Sequence, residues 1–165
     1  MEPIRIVWGT GEGPTEMASY DAALADAGIE NYNLVPVSSI VPAGAEIDPV
    51  GTAPDLGPAG ERLTVVEGRA TAPPADDVAG AGDTVSAGLG WVRSENGPGL
   101  FYEAADRTSP DDASRRVIEG LEAGQELRDW TFGDPEYQVV SADVADDAFT
   151  TVVVLAAYGR SDPIL

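Results

Sequence analysis

The pattern of apolar and polar residues along the chain predicts a fold that mixes strands and helices. Short apolar runs bounded by Gly, Pro, Asn and Asp are typical of strands. Runs of this kind predict strands over residues 5–10, 32–41, 62–70, 83–94, 99–105, 136–144 and 148–159. We expect the strands over 83–94 and 99–105 to pair, because the turn-rich segment SENGPG connects them.

Two further stretches have apolar residues at helical spacing. Thr15 caps the first predicted helix, which runs to about Ala27 and stops at Gly28. The predicted buried side of this helix consists of Met17, Tyr20, Leu24 and Ala27. Ser109 caps the second predicted helix, with Pro110 in its first position. The apolar stripe of the second helix consists of Val117, Ile118 and Leu121.

The order of these elements favours an α+β fold over the strict alternation of a doubly wound sheet. The 165 residues contain no internal repeat, so we expect a single domain over 1–165. Residues 42–60 and 71–83 are predicted to be loops rich in Pro and Gly. The segment GTGEGPT (9–15) is interpreted as a tight turn. A phosphate-binding loop is less favoured there, because no lysine follows and Glu12 would repel phosphate.

The charge balance of the chain is strongly acidic. There are 29 acidic and 9 basic residues, all nine of them arginine, which gives a formal net charge of −20. This charge repels nucleic acids and anionic membranes, so neither is expected as a partner. A solvated acidic surface of this kind suits a salt-rich, halophilic cytoplasm, where ions screen the self-repulsion. The acidic start of the chain and the lack of a long apolar segment also favour a cytoplasmic location.

The absence of His, Cys and Lys restricts the chemistry that this chain can perform. It excludes a Ser-His-Asp triad, a cysteine nucleophile and a lysine that anchors pyridoxal phosphate. No metal site is expected either, because the acidic pairs lack the spacing of a calcium loop and are interpreted as solvated surface. These pairs are Asp76 with Asp77, Asp111 with Asp112 and Asp146 with Asp147. Catalysis would need carboxylates, hydroxyls, amides, an oxygen-bound metal or a cofactor made from the chain.

Two adjacent serines, Ser38 and Ser39, interrupt the apolar run over 32–41. A buried hydroxyl without a partner costs about 1–3 kcal/mol, so either the strand reaches a sheet edge there or the serines are a reaction centre. In the second case, the Ser39 hydroxyl attacks the Ser38 carbonyl and converts the amide to an ester. Loss of the Ser39 α-proton then expels the Ser38 carboxylate and leaves dehydroalanine, which hydrolyses to a pyruvoyl group and ammonia. This ketone can form a Schiff base with an amine substrate.

Three other polar residues are candidates for a site. Asn33 lies six residues before Ser39, on the same face of a continuous strand, where its amide could polarise a reacting carbonyl. Glu103 ends an apolar run and is either a proton donor or the point where the strand emerges into water, which the pattern alone favours. Asp21 lies near the edge of the apolar face of the first helix, a position more typical of a solvated charge.

Several motifs along the chain resemble those of the archaeal pyruvoyl-dependent arginine decarboxylases. In chain order they are YDAAL (20–24), NL (33–34), SSIVP (38–42), AEI (45–47), TVSA (84–87), GLFYE (99–103) and RDW (128–130). The resemblance implies an α/β/β/α four-layer sandwich that assembles as a homotrimer, with active sites between neighbouring subunits. It also implies self-cleavage between Ser38 and Ser39, which leaves a β chain (1–38) and an α chain (39–165) headed by a pyruvoyl cofactor derived from Ser39.

The resemblance further implies the decarboxylation of L-arginine to agmatine, an early step toward polyamines. In this family pattern, Asn33 assists cleavage and binding, and Glu103 delivers the proton after carbon dioxide leaves. Asp21 pairs with the guanidinium of arginine, as a bidentate carboxylate can, and Leu24 lines the pocket. Two alternatives stay open: a pyruvoyl enzyme for another amino acid, which Asp21 argues against, and a non-catalytic trimer of the same fold that never cleaves.

Overall fold

The computed structural model describes residues 1–78, 82–95 and 97–165. Within these ranges the α-helices are Glu16–Asp26 (α1) and Pro110–Glu126 (α2), and a short 3-10 helix covers Ala75–Asp77. The strands are Ile4–Gly13 (β1), Asn33–Pro36 (β2), Ile40–Val41 (β3), Ile47–Gly51 (β4), Arg62–Ala72 (β5), Thr84–Arg93 (β6), Gly99–Asp106 (β7), Glu136–Asp143 (β8) and Phe149–Tyr158 (β9).

The strands of the described residues form two sheets. The five-stranded sheet has the order β2-β5-β9-β1-β4, and the four-stranded sheet has the order β3-β7-β6-β8. β9 is antiparallel to both β1 and β5, whereas the edge strands β2 and β4 run parallel to their neighbours. The pairing predicted for the SENGPG hairpin is confirmed, since Arg93 of β6 lies opposite Gly99 of β7; Asn96 of its turn lies outside the described residues. The α+β class is confirmed as well.

Three apolar clusters hold the helices and sheets together. The first contains Ala23 and Leu24 of α1 with Val153 and Leu155 of β9. The second joins the two sheets, with Val152 and Val154 of β9 among residues of β6 and β7. The third contains Val117 and Leu121 of α2 with Val92 and Leu100. Successive residues of β9 therefore enter the first two clusters in turn, which explains why this strand is apolar on both faces.

The prediction of a tight turn over residues 9–15 is wrong, because β1 continues to Gly13. A Cβ atom added to Gly9 or Gly11 would overlap the backbone of α1, at Ala23 in both cases. The same atom on Gly13 would lie 2.7 Å from the backbone nitrogen of Ser19. The glycines of this segment thus serve the close packing of helix on strand rather than a turn.

The buried side predicted for α1 is wrong at Met17, which is 67% exposed. The helix itself is confirmed, with Thr15 accepting a hydrogen bond from the backbone N–H of Ala18. Small residues form its inner face, where Ser19 and Ala23 are fully buried. The prediction of the buried side relied on the large apolar residues. The helix lies so close to the glycines of β1 that only small residues fit at this contact.

The loop predicted over residues 42–60 contains a strand, β4, and to that extent the prediction is wrong. β4 is an edge strand that pairs only with β1 among the described strands. An edge position tolerates Pro49, which cannot donate a ladder hydrogen bond. The proline and glycine content of the segment therefore predicted a loop where the structure has an edge strand.

Candidate active site

The segment that contains the two serines crosses from one sheet to the other. β2 ends at Pro36 in the five-stranded sheet, and β3 begins at Ile40 in the four-stranded sheet. The prediction of one continuous strand over 32–41 is therefore wrong, as is the expectation that Asn33 and Ser39 share a strand face. The Val37 N–H still donates to the Val65 carbonyl of β5 at 2.9 Å. After Val37 the chain leaves the five-stranded sheet and joins the four-stranded one at Ile40.

Hydrogen bonds fix the backbone of the serine turn, defined as residues 38–40. The Ile40 N–H donates to the Ser38 carbonyl at 2.9 Å, and the Phe101 N–H donates to the Ser39 carbonyl at 2.8 Å. The Tyr158 hydroxyl donates to the Ile40 carbonyl at 2.8 Å. Ser38 is exposed and Ser39 is half-buried. The bond between them is thus held at the surface, with its carbonyl already polarised by a donor.

Glu103 lies beside Ser39. The Ser39 hydroxyl donates to Oε2 of Glu103 at 3.4 Å, a long hydrogen bond between β7 and the serine turn. Gly68 of β5 faces Glu103, and a Cβ atom there would lie 3.2 Å from the Glu103 Cβ. Glu103 is half-buried. It has therefore not emerged into open water at the end of an apolar run, and its position suits a group that exchanges a proton with a molecule bound beside Ser39.

A cavity of about 450 Å³ opens next to the serines. Ser38 and Ser39 line one side, and the C-terminal half of α2 lines the other. A side chain at Gly120 of α2 would overlap the Tyr102 ring, so glycine lets this ring lie against the helix. Arg128 also lines the cavity, and its Nη1 donates to the Gly124 carbonyl at 2.7 Å. The cavity combines an apolar wall with the backbone and hydroxyls of the serine turn.

A second cavity of about 440 Å³ contains Glu103 together with Tyr20, Glu67 and Arg69. The Tyr20 hydroxyl donates to both oxygens of Glu67, at 3.1 and 2.8 Å. The Arg69 guanidinium lies 4.3 Å from the centre of the Tyr20 ring. Burial, followed by the hydrogen bond to Glu67 and its charge, raises the pKa of Tyr20 to about 12. This cluster was not predicted; the signal for it in the sequence is the pair of charged residues, Glu67 and Arg69, at alternate positions of an apolar strand.

Three residues predicted for the site lie elsewhere in the single chain. Asp21 is exposed on α1, and Leu24 is buried in the first apolar cluster. Asn33 pairs with Arg62 of β5, and its side-chain amide donates to the Gly60 carbonyl at 2.7 Å. Leu34 and Pro36 of β2 line the second cavity with Glu103, whereas Asn33 lies on the opposite face of that strand. One chain therefore brings Ser38, Ser39 and Glu103 together, but not these three residues.

No helix in the described ranges has both the length and the apolar character that a membrane span requires.

The family model for pyruvoyl-dependent arginine decarboxylase (PvlArgDC) matches residues 3–163. A pyruvoyl-dependent arginine decarboxylase of Halobacterium salinarum is 54% identical over 99% of this chain and 98% of its own length.

Relatives of the same description occur in other archaea at lower identity. That of Pyrococcus abyssi is 35% identical over 81% of this chain and 78% of its own length. That of Methanocaldococcus jannaschii is 34% identical over 77% of this chain and 72% of its own length. The similarity thus covers both the serine turn and the strand that carries Glu103.

Proposed function

The chain belongs to the family of pyruvoyl-dependent arginine decarboxylases, and we propose that it converts L-arginine to agmatine and carbon dioxide with a pyruvoyl group made from Ser39. The observation that carries the assignment of Ser39 is its hydroxyl, 3.4 Å from a Glu103 oxygen. The preceding carbonyl, that of Ser38, accepts a hydrogen bond from Ile40. A nucleophile and a polarised carbonyl therefore lie in the serine turn, next to a carboxylate on β7.

The surroundings of Ser39 fit a carbonyl group in its place. The Phe101 N–H holds the Ser39 carbonyl, and the side chain faces both Glu103 and a cavity large enough for a small molecule. A pyruvoyl group supplies a ketone that takes up the amine of the substrate and withdraws electrons as carbon dioxide leaves. In a chain without lysine this replaces pyridoxal phosphate chemistry.

Self-cleavage begins with attack of the Ser39 hydroxyl on the Ser38 carbonyl carbon. The new C–O bond gives a tetrahedral intermediate, in which the Ser38 oxygen carries negative charge. As the C–N bond then breaks, the proton from the hydroxyl passes to the Ser39 nitrogen, and the amide becomes an ester and a free amine. Removal of the Ser39 α-proton then breaks the bond between Cβ and the ester oxygen, whose electron pair stays on the Ser38 carboxylate. Water hydrolyses the resulting dehydroalanine and releases ammonia. The Ile40 N–H stabilises negative charge on the Ser38 oxygen during the attack. The products are a β chain (1–38) and an α chain (39–165).

Glu103 is the residue that delivers a proton in the decarboxylation. Its half-buried carboxyl lines the second cavity, and its Oε2 atom lies 3.4 Å from the hydroxyl of Ser39, which lines the first cavity. It places the proton on the α-carbon of the substrate after the carboxyl group has left. The apolar wall formed by Leu100 and Phe101 limits access of water to the leaving carboxylate.

Asp21, Leu24 and Asn33 act at this site only if a neighbouring copy of the chain supplies them. Asp21 would pair with the guanidinium of arginine through two hydrogen bonds, Leu24 would line the pocket, and Asn33 would assist cleavage and binding. Apolar residues on both sides of the serines support such a contact, since Val35, Val37 and Ile40 are 40–41% exposed. We therefore propose a homotrimer of αβ units with its active sites between subunits.

The three apolar clusters support a four-layer α/β/β/α order for each subunit. The net charge of −20 supports adaptation to high salt, and a relative from Halobacterium salinarum is in keeping with it. The cytoplasmic location and the role in polyamine synthesis stay predictions.

The experiment that tests the function measures carbon dioxide and agmatine released from L-arginine by the purified protein in high salt. The wild type should release both in equal amounts, and Ser39→Ala should release neither. Ser114→Ala is a matched control, because the Ser114 hydroxyl only donates to the Asp111 carbonyl within α2. Retained activity in Ser39→Ala would overturn the assignment. Comparison with L-lysine and L-ornithine tests whether arginine is the preferred substrate.

A further inference from the structure

Tyr158 links the serine turn to the opposite sheet. It is the last residue of β9 in the five-stranded sheet, whereas Ile40 belongs to the four-stranded sheet. Its hydroxyl donates to the Ile40 carbonyl at 2.8 Å. Its ring packs on Phe101, with centroids 6.1 Å apart and ring planes inclined by 60°. The contact joins residues 118 positions apart in the chain, so it does not arise from local turn geometry.

The hydrogen bond from Tyr158 holds the second peptide group after the reacting residue, the one between Ile40 and Val41. The Phe101 N–H holds the Ser39 carbonyl, and the Tyr158 hydroxyl holds the next carbonyl along the chain. The intervening Ile40 N–H donates to the Ser38 carbonyl. With peptide planes rigid, these contacts hold both peptide groups that flank Ile40. The direction in which the Ser39 side chain points toward Glu103 depends on this frame.

We propose that Tyr158 is a positioning residue for the chemistry at Ser39, in which its hydroxyl holds the Ile40 carbonyl and so orients residue 39 before and after cleavage. The proposal rests on the proposed function. After cleavage, residue 39 heads the α chain and has lost its covalent tie to Ser38. The backbone of residue 39 is then held from its C-terminal side, by the hydrogen bonds of Phe101 to its carbonyl and of Tyr158 to the Ile40 carbonyl.

The Tyr158 hydroxyl remains a donor throughout the range in which enzymes are assayed. Burial raises the pKa of Tyr158 to about 12. The proton in the hydrogen bond to Ile40 is therefore present at neutral pH and well above it.

Tyr158→Phe removes the hydroxyl and keeps the ring against Phe101. We expect the first-order rate of self-cleavage, followed by intact mass, to fall about tenfold, as the loss of one hydrogen bond would allow. In the cleaved fraction, kcat should fall by a similar factor while KM changes less than about twofold. Tyr32→Phe is the matched control, because the Tyr32 hydroxyl also donates to a backbone carbonyl, that of Gly57 at 3.1 Å, away from the serine turn.

A second measurement is independent of activity. In an uncleavable Ser39→Ala background, adding Tyr158→Phe should speed amide hydrogen exchange at Ile40 and Phe101 more than in the rest of β3 and β7. Suppose that the wild-type protein cleaves itself. If the Tyr158→Phe variants then cleave and exchange their amide hydrogens at the wild-type rates, this proposal alone is overturned. A wild type that never cleaves would overturn the proposed function and this proposal with it.

Discussion

The Ser39 hydroxyl and the Glu103 carboxylate are 3.4 Å apart, and in the proposed function the two residues act one after the other. Ser39 reacts with its own backbone once, during maturation. Glu103 handles a proton in every turnover. Because the residues touch but act at different stages, substitutions can separate the two steps.

Glu103→Gln should leave self-cleavage nearly complete and lower decarboxylation about 10²–10⁴-fold, the range for loss of a general acid. Glutamine keeps the size of the side chain but holds no transferable acidic proton. Intact mass reports the cleavage, and release of carbon dioxide reports the turnover. Glu122→Gln, an exposed position on α2, is the control. Full activity in a cleaved Glu103→Gln protein would remove Glu103 from the reaction.

Asp21→Asn should raise the KM for arginine by about one order of magnitude or more, since a charge-assisted bidentate contact is lost. Self-cleavage should proceed as in the wild type, because Asp21 lies on the exposed side of α1. Steady-state kinetics and intact mass measure the two effects, with the exposed Asp134→Asn as control. Equal damage to cleavage and binding would count against a guanidinium role.

At the scale of residues, sequence reasoning located Ser38, Ser39 and Glu103, and the structure brings them together. The serine pair could be predicted because the missing His, Cys and Lys leave few chemical routes, and adjacent serines are one of them. Glu103 was predicted through the resemblance to the family, since the pattern alone favoured a carboxylate that emerges into water. Tyr158 and the cluster of Tyr20, Glu67 and Arg69 were missed. Their contacts join distant parts of the chain, and no local pattern reports a contact of that kind.

At the scale of elements, the glycines of β1 decide how closely α1 approaches the sheet. Gly9, Gly11 and Gly13 lie at alternate positions and so share one strand face. A Cβ atom on Gly11 would overlap backbone atoms of α1, at Ala23. The same helix buries Ser19, whose hydroxyl shares a hydrogen bond of 2.7 Å with that of Thr151. Small residues on both sides of the contact make this packing possible.

Gly11→Ala should therefore destabilise the fold by roughly 1–3 kcal/mol, the usual cost of overpacking. Urea unfolding measures the change in the free energy of unfolding. Gly133→Ala is the control, because a Cβ atom there would come no closer than 3.7 Å to another heavy atom, the Arg93 carbonyl oxygen. If Gly11→Ala were as stable as Gly133→Ala, the close approach of α1 to β1 would be incorrect.

Long apolar strands and capped helices could be predicted from the sequence, because periodicity and caps are local signals. The Ser109 cap of α2 is confirmed, as its side chain accepts a hydrogen bond from the Asp112 N–H. Edge elements could not be predicted. β4 was not predicted because it contains Pro49, a residue typical of loops. The break between β2 and β3 was not predicted because the chain changes sheets there, which only the tertiary fold determines.

At the scale of the whole molecule, the net charge of −20 makes repulsion between surface carboxylates a general property. The Debye length falls from about 10 Å at 0.1 M salt to about 3 Å at 1 M. The midpoint of thermal unfolding should therefore rise with NaCl over this range. Replacing the exposed residues Asp76, Asp77, Asp146 and Asp147 by Asn should reduce this dependence. A midpoint that falls with salt would contradict adaptation to high salt.

In the proposed trimer, the substrate residues Asp21, Leu24 and Asn33 would reach Ser39 from a neighbouring subunit. Met17, 67% exposed on the same helix as Asp21, adds apolar surface that such a contact would cover. In this proposal, cleavage uses Ser38, Ser39 and the backbone donors of one chain, whereas recognition of arginine would require the assembled protein. The cleavage reaction is accordingly the step that depends least on assembly.

The intact mass of the purified protein after folding in high salt shows whether the serine turn makes the cofactor. We expect two fragments, residues 1–38 with a free carboxylate at Ser38 and residues 39–165 with a ketone in place of the Ser39 amino group. Ser39→Ala should give one species at the full mass. A wild type that also stays at the full mass after long incubation would contradict the claim that this serine turn makes the cofactor.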